Sequence, residues 1–399
     1  MEPLKMLYVG DFPIQTGFGV VSTNLINHFK QWYEVHVLGV NYHGDYDPLC
    51  NGLRVYPASA GGDIWGVSRI NDMILSIKPD VVFVLNDPWI CMQYAERFTQ
   101  IRDKVNTKFI AYTPIDAENI KHEFVLGLAE YDAVITYTEF GREQIKKTEE
   151  AILRTHQFTM PPVHVIPHGV DLTKFFPMPK EKVRAEMNMP EDAYVVLCLQ
   201  RNQPRKRIDL TMFYFAEWVK RYQLPPNVKF YYHGALQDFG IDIIQWASYL
   251  GIEDRLAISS PNIRPDRGLT TEQVNWVYNA ADVFFTTTMA EGWCLPVAEA
   301  MAASVPVIIP RHSALAEWPE GNCHYTEVYP IPFLTDKGLN TVHHITEMES
   351  AISALQRMYE DHQYRHTIGM AGHLHMKDPK FQWKTIARQF SEIIQDVAR

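Results

Sequence analysis

The chain has 399 residues, of which 46% are apolar and 21% charged, with a formal net charge of −10. That length exceeds one ordinary hydrophobic core and predicts two domains. The balance excludes a disordered or low-complexity chain, and the acidic charge argues against a general nucleic-acid binder, which carries a basic footprint.

In chain order, "KMLYVGDF" reads as a short buried strand bounded by Gly10 and Asp11. "GFGVVSTNLINHFK" follows with Val20, Val21, Leu25, Ile26 and Phe29 at helical spacing. "YEVHVLGV", "PDVVFVLND" and "TKFIAYTPID" are further strands. "YDAVITYTEF" leads into the helical "GREQIKKTEE", and "VHVIPHGVD" closes this half. Continuous apolar strands alternating with amphipathic helices imply a parallel sheet covered on both faces.

The pattern then restarts. "MPKEKVRAEMNMPEDA" reads as a polar connecting segment with one short helix. After it come the strand "AYVVLCLQRN", a helix from about Ile208 to Tyr222, the strand "NVKFYYHGA", a helix over "GIDIIQWASYLG" and the strand "RLAISS". A helix near "TEQVNWVYNAA", the strand "DVFFTTTM", a helix over "PVAEAMAAS" and the strand "VPVIIP" complete a second Rossmann-like unit. The final "FQWKTIARQFSEIIQDVA" is amphipathic, with Phe381, Trp383, Ile386, Phe390, Ile393 and Ile394 on one face. It either packs on the second domain or returns to the first. The fold class is therefore α/β, with domains expected at 1–170 and 171–378 and with 379–399 as a terminal helix.

Cys50, Cys91, Cys198, Cys294 and Cys323 are scattered and odd in number, which predicts buried free thiols and no zinc site. The adjacent histidines of "VHHIT" read as surface or strand-end residues. No apolar run approaches the roughly 20 residues that cross a bilayer, and "MEPLKMLYVGDF" has no signal-peptide pattern. A soluble, intracellular, cytoplasmic protein is expected.

Ligands of such sheets bind beyond the carboxyl ends of the strands. In "GDFPIQTGFGVVS", Gly17 and Gly19 open a helix where a phosphate could approach, or they serve an ordinary tight turn. "LQRNQPRKRIDL" gathers Arg201, Arg205, Lys206 and Arg207, four cations that repel one another unless an anion joins them. Arg forks onto phosphate oxygens and Lys acts as a point charge, so Arg201 and Lys206 are candidate diphosphate ligands. In "MAEGWCLPVAEA", Glu291 lies in a loop and Glu299 about one turn inside the following helix. Between them, the amides of Gly292, Trp293, Cys294 and Leu295 are candidate hydrogen-bond donors. Two carboxylates around a donor-rich turn suit a polyol. Taken singly, Glu299 is also a first-turn acid favoured by the helix dipole, and Glu291 a solvated loop acid. No GxGxxG turn with an acid about 20 positions on is present, which sets aside a dinucleotide-dependent oxidoreductase.

"EGWCLPVAE" resembles the E-x7-E motif of retaining GT-B glycosyltransferases of the GT4 type (glycosyl transferases group 1). "IPHGVD", "RNQPRKR" and "TGFG" are similar to the family's interdomain segment, basic diphosphate loop and N-terminal glycine loop. The resemblance implies a GT-B fold, two Rossmann-like domains facing each other across a cleft, with the final helix crossing back. It implies a nucleotide-sugar donor, UDP- or GDP-linked, with Glu299 on the ribose and Glu291 on the transferred sugar. Arg201 and Lys206, with Arg205, would neutralise the diphosphate. Transfer would go to an acceptor hydroxyl on a glycan or glycoconjugate, with retention, no metal and no cofactor. Asp116, in "YTPIDAE", stands where many members carry a histidine, so a catalytic role there competes with capping of "AENIKHEF". His122 and His168 are further candidates for contact with sugar or acceptor. Tyr42, Trp65 and Trp89 are candidate stacking residues that equally suit packing. The competing readings are a non-catalytic nucleotide-sugar-binding module and, for the acceptor, a modified DNA base.

Overall fold

The computed structural model describes residues 3–264, 268–334 and 340–399. The chain divides into two compact units. Unit 1 comprises Met1–Gly169, Phe333–Thr341 and Gln382–Arg399; unit 2 comprises Val170–Pro332 and Val342–Phe381.

Unit 1 runs β1 (Lys5–Asp11), α1 (Gly17–Phe29), β2 (Glu34–Val40), β3 (Arg54–Pro57), α2 (Ile70–Ile77), β4 (Val81–Leu85) and α3 (Pro88–Phe98). It continues with β5 (Lys108–Tyr112), α4 (His122–Leu128), β6 (Ala133–Thr136), α5 (Glu139–Ile152) and β7 (Val163–Val165). The strands form one parallel sheet in the order β3-β2-β1-β4-β5-β6-β7. Both faces of its central strands are buried, as the continuous apolar runs require. The order reverses between β1 and β4, so the loops after these strands flank the switch point.

Unit 2 runs α6 (Lys180–Glu186), β8 (Tyr194–Leu199), α7 (Ile208–Arg221), β9 (Val228–His233), α8 (Ile243–Leu250), β10 (Leu256–Ile258), α9 (Thr271–Ala280) and β11 (Val283–Phe285). Then come α10 (Leu295–Ala302), β12 (Val307–Pro310), β13 (His324–Thr326), β14 (Val328–Leu334) and β15 (Asn340–Thr346), which unit 2 shares with unit 1, α11 (Met348–Glu360) and α12 (His362–Met376). Six strands form a parallel sheet in the order β10-β9-β8-β11-β12-β13, and β14 pairs with β15. The reversal lies between β8 and β11. The last helix, α13 (Trp383–Ala398), belongs to unit 1. Its Phe390 ring meets Phe29, Phe83 and Tyr112 edge-on, with centroids 4.7–6.2 Å apart.

Three local readings change. "DVFFTTTM" is a strand only over Val283–Phe285; further on, the Met289 N–H and the Thr287 hydroxyl bond to carbonyls of the loop after β8. The polar segment around α6 is an integral part of unit 2: buried Arg184 donates to Asp282 at 2.7 Å and to the Ala280 carbonyl. His343 and His344 lie within β15, and the His343 side chain is buried. Helix α12 went unread because it has no apolar stripe. It packs through glycines instead: a Cβ on Gly369 would lie 2.5 Å from the Ser304 carbonyl oxygen, and one on Gly372 3.1 Å from Met301. Among the described residues the five cysteines are free thiols, four of them buried, and no helix is long and apolar enough to cross a membrane.

Candidate functional site

In unit 2 the loops after β8 and β11 meet at the switch point. The Met289 N–H donates to the Arg205 carbonyl at 2.9 Å, and the Thr287 hydroxyl to the Arg207 carbonyl at 2.9 Å. The segment after β12 joins them: the Glu291 N–H donates to Ser313 Oγ at 2.9 Å, and the Ala314 N–H to the Glu291 carbonyl at 3.2 Å. Three strand ends are thus tied into one surface. Arg207, Cys294 and Ser313 all adopt left-handed backbone, with φ of 48°, 77° and 52°. Strain held at non-glycine residues marks places where the surrounding structure over-determines the backbone, and such places cluster at functional sites.

Glu291 is buried, 4% exposed, and its carboxylate is the hub. Lys206 Nζ donates to Oε1 at 2.5 Å and Arg205 Nη1 to Oε2 at 3.2 Å. Burial by itself would raise this carboxyl, but Lys206 and Arg205 outweigh it and hold it below the usual range. Arg205 also donates to the Ala290 carbonyl. Arg201 forks onto Asp238 at 3.1 and 3.2 Å, and Arg207 onto Asp209 at 2.8–3.2 Å. The four cations of "RNQPRKR" are therefore joined by anions within the protein itself, which the sequence pattern did not disclose.

The turn after Glu291 is set by aromatic packing. Trp293 stacks on Trp318 with centroids 4.6 Å apart, and Trp318 Nε1 donates to the Trp293 carbonyl at 2.9 Å. Gly292, Trp293 and Cys294 are buried and Leu295 is half-buried. The N-cap of α10, Cys294, makes no side-chain capping bond among the described residues, so no capping hydroxyl or carboxylate of that residue offsets the dipole of α10. Glu299, within α10, accepts from Tyr278 Oη at 2.8 Å. Burial raises its carboxyl to about 7, and the Tyr278 hydrogen bond offsets only part of that. The two glutamates thus differ: Glu291 is an ion-paired anion, Glu299 a carboxyl poised near neutrality.

In unit 1, the Thr16 side chain caps α1 by accepting from the Gly19 N–H at 3.0 Å, and Thr16 Oγ1 donates to Asp11 at 2.5 Å. A Cβ on Gly19 would lie 1.7 Å from the Ile14 carbonyl oxygen, so chain packing alone requires this glycine. Gly17 is the first residue of the helix. Asp116 is half-buried in the loop after β5; the cap of α4 is Lys121, so Asp116 does not cap that helix. His122 is exposed on the first turn of α4. His168 is buried, with Nδ1 2.7 Å from Tyr112 Oη and its ring 4.0 Å from that of Tyr137; burial lowers it to about 3, so it is neutral near pH 7. Trp65 and Trp89 pack against the core of unit 1.

Sequence reasoning missed Ser313, Asp238 and Tyr278. Ser313 follows β12, so the strand-end rule applied to "PRHSAL" would have found it. Asp238 and Tyr278 lie 37 and 21 residues from their partners and carry no local signal.

Residues 179–318 match the family model for glycosyl transferases group 1. The D-inositol 3-phosphate glycosyltransferase of Mycolicibacterium smegmatis is 28% identical over 183 residues, 45% of this chain and 37% of that protein. The match thus spans little more than a third of that relative. Among solved structures, sucrose-phosphate synthase from Thermosynechococcus elongatus superposes with a TM-score of 0.72 at 18% identity, covering 100% of this chain and 99% of that one. HepE of Anabaena, solved with UDP and glucose, gives 0.72 at 16% identity, covering 98% and 100%. At such identities these likenesses establish the fold.

Proposed function

We propose, from the chain's place as a GT4-like member of the group 1 glycosyltransferases with the GT-B fold, that it moves a sugar from a nucleotide-diphosphate sugar to an acceptor hydroxyl. The observation that carries this reading is the Lys206–Glu291–Arg205 constellation at the switch point, beside the N-terminus of α10. Cations and a helix N-terminus suit a diphosphate. Carboxylates suit sugar hydroxyls, which donate hydrogen bonds to them. In the proposed arrangement Lys206, Arg201 and Arg205 face the diphosphate and stabilise the charge that develops on it as the glycosidic bond breaks. Glu291 aligns the transferred sugar while its two ion pairs fix its position. Glu299 accepts from the ribose. The UDP of HepE and the inositol phosphate glycosyltransferase relatives support a nucleotide-sugar donor, UDP- or GDP-linked. Retention follows from the E-x7-E resemblance. Metal independence is inferred from the supply of charge by protein cations beside the turn, where no DxD-like acidic pair stands in the loops after β8 and β11; the D-x-D run of the sequence, Asp45 and Asp47, lies in unit 1 after β2.

Nucleoside diphosphate release from a panel of UDP- and GDP-sugars, in EDTA, tests the reading. Release from one donor, lost in Lys206→Ala, supports it. Donor binding without release, with a range of hydroxyl acceptors supplied, would make the chain a nucleotide-sugar-binding module.

A further inference from the structure

A second feature of unit 2 lies at the other end of α10. The turn 291–294 precedes this helix, and Ala303, Ser304, Val305 and Pro306, which follow it, line a cavity of about 360 Å³. Eight helical residues separate the two, a rise of about 12 Å. Lys180, Asp282, His362, Arg365 and His366 complete the charged lining.

The charges there do not cancel. Asp282 is the one acid lining the cavity, and it is already shared. Lys180 Nζ and Arg184 Nη2 each lie 2.7 Å from it, and the Val195 N–H donates to it at 2.7 Å. Arg365 is the second permanent cation of the lining, anchored through Nη1 to the carbonyls of Met358 and Tyr359 at 2.6 and 3.2 Å. Its Nη2 lies 3.1 Å from His362 Nδ1. That nitrogen must therefore accept, which leaves the N–H of neutral His362 on Nε2. His366 stands one turn further along α12, exposed like His362. Both belong to the first turns of a 15-residue helix, whose N-terminus adds partial positive charge. Two helix C-termini also end there, and one carbonyl of each is taken: the Ala280 carbonyl at the end of α9 accepts from Arg184, and the Ala302 carbonyl at the end of α10 lies 2.7 Å from His373 Nδ1. Asp361 caps α12 by accepting from the Tyr364 N–H at 2.8 Å. Lys180 and Arg365 in the lining, with buried Arg184 behind Asp282, outnumber the one lining carboxylate, and two imidazoles stand at the rim, a balance that favours an anion.

We infer that this cavity is a binding site for a phosphate dianion, free or as a small phosphomonoester, separate from the proposed donor site. Its ligand class follows from the surplus of cationic and imidazole groups in the lining, and its size from the cavity. Binding does not depend on glycosyl transfer, so this inference and the proposed function fail separately.

The test is a titration of the full chain with inorganic phosphate at constant ionic strength, read as the thermal midpoint and by calorimetry. The wild type should show a saturable upward shift. The double variant His362→Gln with His366→Gln, both at exposed positions, should bind phosphate at least 10-fold more weakly, while Lys206→Ala should keep the wild-type affinity. A hexose monophosphate in place of phosphate distinguishes the sources: a larger shift assigns the site to a phosphomonoester, an equal shift to phosphate itself. No saturable shift in the wild type overturns the proposal. So does a shift that survives the double histidine variant and disappears in Lys206→Ala, which would place the ion on the basic loop.

Discussion

Lys206 and Glu291 are each other's closest charged partners at 2.5 Å, and the single substitution Lys206→Ala touches both proposed chemistry and stability. Loss of a preorganised cation should lower turnover by about 10²-fold or more. The same change leaves the buried Glu291 with Arg205 alone, and unpairing a buried charge is destabilising. A fall in thermal midpoint should therefore accompany the fall in nucleoside diphosphate release. Unchanged turnover would remove Lys206 from the mechanism. Glu299 carries a second prediction at this scale. Its folded carboxyl titrates near 7, above the ordinary 4.5, because burial disfavours the charge. Between those values the native state holds the proton more tightly than the unfolded chain, so this group's contribution to stability falls as pH rises from about 4.5 to 7 and is level above. Glu299→Gln lacks that loss. The midpoint difference, variant minus wild type, should grow across that window; a difference flat with pH would show that the carboxyl is not raised. Glu291 has the opposite sign, since its pKa is lowered and its contribution is lost as pH falls.

Elements are positioned by contacts that tolerate little change. Helix α1 begins where the chain folds back against the Ile14 carbonyl, which would lie 1.7 Å from any Cβ at Gly19. Gly19→Ala must displace that backbone and should cost about 1–3 kcal/mol, as overpacking does, measured by urea unfolding. A cost below a few tenths of a kcal/mol would show that the loop after β1 yields freely. Helix α13 presents Phe390, fully buried among Phe29, Phe83 and Tyr112, and Ser391, 2.6 Å from Tyr33 Oη. Phe390→Ala leaves a cavity with three aromatic walls and should cost about 3–5 kcal/mol on the same measurement.

At the scale of the molecule, the chain leaves unit 1 after Gly169, rejoins it briefly over Phe333–Thr341 and returns to it at Gln382. Unit 2 has its own core, in which Trp218, Phe215, Phe230 and Tyr232 pack with Ala351, Leu355 and Met358 from α11. A fragment spanning residues 170–381 should therefore fold alone, with cooperative unfolding and near-ultraviolet circular dichroism typical of packed aromatics. A molten or aggregated fragment would mean that unit 2 depends on unit 1. The complementary truncation after Phe381 removes α13 and should prevent unit 1 from reaching its native packing.

Several features of this protein could be read from its residues alone. The two-fold alternation of apolar strands and amphipathic helices specified two parallel sheets, because hydrophobic periodicity is local and repeats within ten or so residues. The site motif was legible for the same reason: Glu291, the turn and Glu299 lie within nine consecutive positions, and the basic loop within seven. Sequence could not say where those charges go. Whether Arg201 meets Asp238, Lys206 meets Glu291 and Tyr278 reaches Glu299 depends on strand order, and so did the meeting of β8 and β11 at the switch point. Strand order is set by long-range packing that no local pattern records. The same holds for α12, whose glycines make it a helix that packs by close backbone approach, and for the cation-lined cavity, assembled from α6, α9, α10 and α12. Local periodicity determined which elements form; only the tertiary structure decided which side chains share an electrostatic environment, because charge acts through space and not along the chain.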